Sequence, residues 1–472
     1  MAQELELSRM LREEENISFR RKLEITGKLS LPGILAQISE IIMQYIDAAM
    51  VGSLGAAASA SIGLVSSSTW LAGSLLFASV AGFSVQVAQA VGGGNTEKSR
   101  ELFHQGVIIS MLMGAFLSLI VIIVSAYLPA WLGADVSIRP DASAYFRVYG
   151  EFLLVRMMFY LAQGMLQCTG NMRTPSILAS LTCLLDVVFN YFLIFPSRTV
   201  GLFGRDIPVW GAGLGVKGAA LGTALSFAVC AVLMMYAVCV RSPVLAVSLG
   251  GSWKLQKNDL TRAVKIGVPM ALEQSALCLA QVVSTAIVAP LGTVAIAANS
   301  FAVTAESLCY MPGYGIEAAA TTLVGQAIGA KRKDMARSFA WITTGTGVAI
   351  MTAGGILMYF ACPLVFNFLT PDTAVRALGV QVLRIELFAE PLFAASIVAT
   401  GALRGAGDTL VPGLMNLVSI WGVRITMAWF LSKTLGLPGV WIAMAVELSF
   451  RGILFLIRLK REKWLTLMDP AV

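Results

Sequence analysis

The chain has 472 residues, of which 57% are hydrophobic and only 13% charged, with a formal net charge of +7. Soluble proteins carry roughly a quarter charged residues, so this composition excludes a set of water-facing domains, and at about 20 residues per spanning helix there is room for roughly a dozen spans. The basic residues are scattered between apolar runs, which argues against a nucleic-acid partner, and seven cysteines with no Cys-x-x-Cys pair, beside the single His104, argue against a metal centre or a disulfide framework.

In chain order, residues 1–24 are polar and charged, with no apolar stretch behind a basic start, so no cleavable signal peptide is expected. Charge-poor runs then predict helices at about 29–52, 58–92, 103–127, 145–167, 175–196 and 215–240. Six more are predicted at about 265–289, 296–329, 339–362, 380–403, 411–433 and 438–458. The second and eighth runs are Gly-rich and long enough for a tilted or broken helix. Lys and Arg favour the tails and the loops near 93–102, 168–174, 241–265, 330–338 and 404–410 by about four to one over the opposite loops. Both tails are therefore expected in the cytoplasm, in agreement with an even number of spans. The expected divisions are a cytoplasmic tail 1–28, a six-helix lobe 29–240, a cytoplasmic linker 241–264, a second lobe 265–458 and a cytoplasmic tail 459–472.

Shifting the sequence against itself by 237 residues gives an ungapped match from Lys28 to Pro175. Lys28 meets Lys265, Pro32 meets Pro269, Gln37 meets Gln274, Gln44 meets Gln281 and Arg100 meets Arg337. VAQAVG at 87–92 meets VGQAIG at 324–329, and GMLQCTGNMRTP at 164–175 meets GALRGAGDTLVP at 401–412. Small-residue composition alone would align many Ala and Gly, but not Lys, Pro, Gln and Arg in one register. Each copy has an even number of spans, so both enter the membrane in the same direction and a pseudo-two-fold axis along the membrane normal is expected, as in parallel-repeat transporters. The expected fold is an all-α polytopic membrane protein of twelve helices in two six-helix bundles facing across a cleft.

The first run carries Gln37, Glu40, Gln44 and Asp47, whose spacing keeps them within roughly 80° of one helical face. A charged group at mid-bilayer costs about 2.5–3.5 kcal/mol on insertion scales, so this face is expected toward the bundle interior or cleft. Burial disfavours the ionised form of a carboxyl group, and such an acid can trade a proton or Na⁺ for a substrate. Alternatively, Asp47 caps the turn before Gly52 and Glu40 forms a structural ion pair. The second copy keeps Gln274 and Gln281 but has Leu277 and Ser284 where the first has Glu40 and Asp47. It adds Glu273, one position before Gln274.

YIDAAMVGSLGAAASASIGL resembles the first-helix signature of the multidrug and toxic compound extrusion (MATE) family, and the two loops at 164–175 and 401–412 resemble its paired Gly-x-x-(Arg/Gln)-x-x-Gly-(Asp/Asn) segments. SLCYMPGYGIEAAATTLVGQAIGA is similar to its eighth-helix region, so the resemblance runs from about residue 25 to 458. It implies a V-shaped pair of lobes and export of organic compounds in exchange for H⁺ or Na⁺. Asp47 matches the family's first-helix acid. On the fifth helix the family shows Asn followed by Asp or Asn four residues later, whereas this chain has Asp186 and Asn190. That pair either shares a cation with Asp47 or links helices by hydrogen bonds. Another branch of the family binds its ion through carboxylates on the seventh and tenth helices; those positions here hold Leu277 and Phe393, with Glu273 and Glu390 about a turn away. The resemblance therefore implies coupling in the first lobe, at Asp47 with Asp186, and H⁺ in preference to Na⁺.

Glu306 and Glu317 flank MPGYG, where Pro312 is expected to break or kink the eighth helix; Glu306 either contacts a cationic substrate or forms a cap or interhelical bond. Arg384 and Arg424 read as counter-ions, and the repeated Arg147 and Arg384 as structural pairs. There is no Gly-x-x-x-x-Gly-Lys-(Ser/Thr) motif and no nucleophile–base set, so neither ATP-driven transport nor an enzyme is expected. The expectation is a plasma-membrane antiporter that needs no cofactor beyond its coupling ion, whose partners are a small amphipathic molecule and the lipid bilayer, and for which a monomer suffices. The alternatives are a lipid-linked oligosaccharide flippase of the same wider superfamily and a passive channel.

Overall fold

The computed structural model describes residues 2–14, 17–202, 205–247 and 253–466. A short helix, Ala2–Glu13, precedes the spans. The first lobe contains Phe19–Gly52, Ala56–Gly92, Thr96–Ser125, a fourth span made of Arg139–Glu151 and Leu153–Cys168, then Arg173–Ile194 and Gly215–Tyr236. The second contains Lys257–Val288, Thr293–Gly329, Lys333–Leu369, a tenth span made of Thr373–Glu386 and Glu390–Gly405, then Leu410–Leu435 and Leu437–Lys460. Among the described residues, ten helices are long and apolar enough to cross a membrane unaided, and the two divided spans complete twelve. On the ninth span Leu357, Phe360, Leu364 and Phe368 form one exposed helical stripe. A row of large apolar side chains left bare on a finished fold requires lipid to cover it.

Several expected boundaries shift for a physical reason. The first and seventh helices start at Phe19 and Lys257, earlier than the apolar runs at 29 and 265, because hydropathy sees only the lipid-immersed part of a helix that continues in water. The second and eighth helices are unbroken over 37 residues each, and the eighth passes through Pro312. The expected break there is corrected: membrane helices tolerate proline where neighbours satisfy the freed backbone groups. The glycines serve contact instead. A Cβ on Gly33 of the first helix would lie 2.8 Å from the Gly315 oxygen of the eighth, so the two helices meet backbone to backbone. The breaks fall in the fourth and tenth spans, at Phe152 and at Leu387–Ala389, which are equivalent positions of the repeat. Sequence patterns had also not indicated the antiparallel ribbon between the fifth and sixth spans, Pro196–Leu202 paired with Arg205–Ala212.

The lobes meet where the first helix packs on the eighth and the second on the seventh. Their closest approaches lie at the end that carries both termini. There Gln89 Nε2 donates to the Gly405 carbonyl at 3.0 Å, and Gln326 Nε2 donates to the Cys168 carbonyl at 2.8 Å. Gln326 and Gly405 are the repeat equivalents of Gln89 and Cys168, so each lobe makes the same bond to the other across the pseudo-two-fold. Gly92 lies against the Gln326 backbone and Gly329 against that of Gln89 in the same reciprocal way. Leu7, Met10 and Leu11 of the short N-terminal helix are buried over this closed end among Ile316, Leu323, Met335 and Phe339. Arg332 holds that helix by donating to the Glu14 carbonyl at 3.0 Å.

Candidate functional site

Three of the expected residues come together in the first lobe. The first and fifth helices pack against each other, and four-residue spacing puts Asp186 and Asn190 on one face of the fifth. Asn190 Nδ2 donates to Asp47 Oδ1 at 2.8 Å and to Asp186 Oδ2 at 3.2 Å. One amide thus bridges two carboxyl groups. Asp186 and Asn190 are fully buried, while Asp47 is half-buried. Gly222 of the sixth helix makes this possible, since a Cβ there would collide with the Asn190 side chain. Asp186 Oδ1 and Asn190 Oδ1 have no hydrogen-bond partner.

The chemistry follows from the count of charges. Two carboxylates held this close repel each other, and a single neutral amide cannot balance them. The pair is therefore suited to share a proton, or to hold a small cation with the orphaned oxygens as ligands. Asp47 is the member that solvent can reach, so exchange with water would run through it.

The rest of the first-helix stripe does not join this cluster. Gln37 is half-buried, and Glu40 and Gln44 are exposed. Glu40 is within electrostatic range of Arg156 on the fourth span, so it faces the interior of its own lobe. Arg156 went unremarked as a site residue: its guanidinium lies 4.2 Å from the Phe227 ring centroid and 5.0 Å from that of Tyr149. Its signal in the sequence was an arginine inside the apolar run 152–166 that ends the fourth predicted span.

In the second lobe Glu273 is buried and accepts a bond from Asn416 of the eleventh span. Gln274 is half-buried and Gln281 exposed. Glu306 is buried and falls in a different group, within range of Arg424 and Arg451. Glu447, also missed in the sequence, is fully buried between those arginines at 3.3 and 3.2 Å. Arg424 is thus a counter-ion as expected. Arg147 pairs with Glu151 at 3.0 Å, whereas Arg384 donates to the Tyr359 carbonyl at 3.2 Å. Glu317 is bound by Arg404 at 2.7 Å.

A duplicated twelve-helix bundle with ionisable side chains sequestered inside it is the layout of a membrane transporter. The MatE family model matches residues 32–192 and 269–430, one match in each lobe. The chain belongs to the MATE family. It is 29% identical over 444 residues to a probable multidrug resistance protein NorM of Thermotoga maritima, covering 93% of this chain and 92% of that one. It is 24% identical over 386 residues to an uncharacterized transporter, YisQ, of Bacillus subtilis, covering 81% and 82%. In fold it is similar to a MOP superfamily transporter from Pyrococcus furiosus, with a TM-score of 0.86, 18% identity and coverage of 97% and 98%. The Vibrio cholerae MATE transporter VcmN superimposes with a TM-score of 0.85 at 17% identity, covering 94% and 97%.

Proposed function

We propose that this chain is a cation-coupled antiporter that exports amphipathic, cationic organic compounds, with H⁺ favoured over Na⁺ as the coupling ion. The observation that carries the reading is the bridge from Asn190 to both Asp47 and Asp186. A proton bound there removes one of the pair's two negative charges, and its release restores that charge toward the lobe interior, where a cationic compound would replace it. Glu40, on the same helical face and accessible, is the next carboxylate such a compound would meet, with Gln37 and Gln44 beside it. The names of the NorM relatives support multidrug export as the physiological role.

The protein would sit in a bacterial plasma membrane with both termini cytoplasmic. The reciprocal Gln89 and Gln326 bonds would then seal the cytoplasmic side, and alternation requires that they break. The acidic first-lobe stripe and the number of spans speak against a lipid-linked oligosaccharide flippase, which would need a cationic cleft.

The test is uptake of ethidium by proteoliposomes under an imposed pH or Na⁺ gradient. The wild-type protein accumulates ethidium when the pH gradient is imposed, and Asp47→Asn reduces uptake to that of empty vesicles although the protein inserts and folds. Wild-type rates in that variant would refute the mechanism, and ethidium flux that ignores both gradients would indicate a passive channel.

A further inference from the structure

We infer that the N-terminal helix Ala2–Glu13 is a latch: docked across the closed end of the molecule, it ties the two lobes together and must release one of them before that end can open. The inference rests on the alternating-access reading, but on neither the coupling ion nor the cargo proposed above. It gives a role to a segment that lies outside the duplicated spans.

The helix holds both lobes at once. Toward the second lobe, Leu7, Met10 and Leu11 are buried against the eighth and ninth spans. Arg332, just before the ninth span, donates to the Leu11 carbonyl at 3.4 Å and to the Glu14 carbonyl at 3.0 Å. Toward the first lobe, a Cβ on Gly170 would lie 3.3 Å from Leu7 Cδ2, and one on Gly94 would collide with the Arg12 guanidinium. Arg12 is oriented by its own bond to the Ser8 carbonyl at 3.2 Å. Gly94 and Gly170 lie in the loops that follow the second and fourth spans. The lobes therefore cannot part at this end while both sets of contacts stand. Undocking would expose the apolar side of the helix to water, so the docked helix favours closure.

Its place on the seam is particular. The Cβ that would touch Leu7 from Gly170 would also lie 3.7 Å from Gln326 Nε2. Leu7 thus covers the bond that Gln326 donates to the Cys168 carbonyl, and exclusion of water strengthens such a bond. The opposite seam bond is supported in another way. Gln89 Oε1 accepts from Arg262 Nη2 at 3.0 Å, whereas Gln326 Oε1 is buried with no partner. A leucine does by packing for one seam glutamine what an arginine does by hydrogen bonding for the other. The repeat equivalent of the helix, from residue 239 onward, forms no such bridge over its described residues. It leads out of the sixth span with Val244 and Leu245 buried in the first-lobe core, where Arg100 donates to the Val244 carbonyl at 3.1 Å. The duplication therefore did not dictate the latch.

The test is a pair of spin-label distances in the full-length protein in lipid nanodiscs, with the seven native cysteines replaced by alanine. Labels on Glu97→Cys and Lys460→Cys, both exposed positions, report across the closed end from the third span to the twelfth. Labels on Glu97→Cys and Arg173→Cys report within the first lobe alone. With the helix intact, the first pair should give one short distance. In the variant Leu7→Ser, Leu11→Ser a longer distance should appear, its population raised at least about tenfold, a shift of about 1.4 kcal/mol in the closing equilibrium. The pair within the first lobe should keep its distance. An unchanged distribution across the closed end would overturn the inference, because the lobes would then stay shut without the latch. Broadening of the pair within the first lobe would overturn it as well, since the helix would then be an ordinary part of the fold. No gradient and no ethidium enter this measurement, so its failure is distinct from a failure of the antiport reading, which is judged on uptake by the wild type and Asp47→Asn.

Discussion

The two lobes share a backbone plan and differ in what they bury. The break in the fourth span at Phe152 recurs in the tenth at Ala389, and the seam glutamines Gln89 and Gln326 make equivalent bonds. Yet beside the break the first lobe has Tyr149, Leu153 and Arg156, where the second has Glu386, Glu390 and Phe393. On the first helix Asp47 becomes Ser284 in the seventh. Packing preserved the duplication where a Cβ or a lost hydrogen bond would have opened the seam. Inside each lobe only local neutrality had to be kept, and it was met differently. The first lobe has an amide between two acids with one reachable from solvent; the second has arginines, buried acids and no opening to water at Glu386, Glu390 or Glu447.

The largest expected effect tests this functional asymmetry. Asp186→Asn should bring gradient-driven ethidium transport down to background, while Glu273→Gln, which keeps an acceptor for Asn416, should retain most of it. Equal losses in the two variants would erase the distinction drawn between the lobes. Next comes Glu447→Ala, which strands Arg424 and Arg451 in the second lobe. Breaking a buried ion pair costs about 3–5 kcal/mol, so thermal unfolding in detergent should drop markedly, and a variant as stable as wild type would mean that water already screens these charges.

Smaller and symmetric effects are expected at the seam. Gln89→Ala and Gln326→Ala each remove one buried donor and leave a carbonyl without its bond, a loss of about 1–3 kcal/mol. Hydrogen exchange should accelerate equally at 89–94 and 326–331, and a response confined to one lobe would deny the reciprocity. The smallest is Arg147→Ala, whose pair with Glu151 has side chains 65% and 42% exposed. Exposed pairs contribute about 0–1 kcal/mol, so unfolding and transport should barely change.

Much of this molecule was written in its pattern of residues. Apolar runs located the spans, and aligned Lys, Pro, Gln and Arg residues revealed the duplication, because both signals are carried along the chain at fixed spacing. Asp47, Asp186 and Asn190 were likewise visible as polar groups that lipid would reject. Tertiary structure alone decided which of them touch. The amide that serves both acids, the turning of Glu306 toward Arg424 and Arg451, and the isolation of Glu386 and Glu390 depend on which helices adjoin and how they are rotated, and one-dimensional periodicity does not encode that. Glycine makes the same point: the Gly-rich eighth run suggested a tilted or broken helix, but in three dimensions Gly315 removes bulk where the first helix presses close. Local sequence fixes where a chain can cross a membrane, whereas charge pairing inside it is settled only when distant segments share the same low-dielectric space.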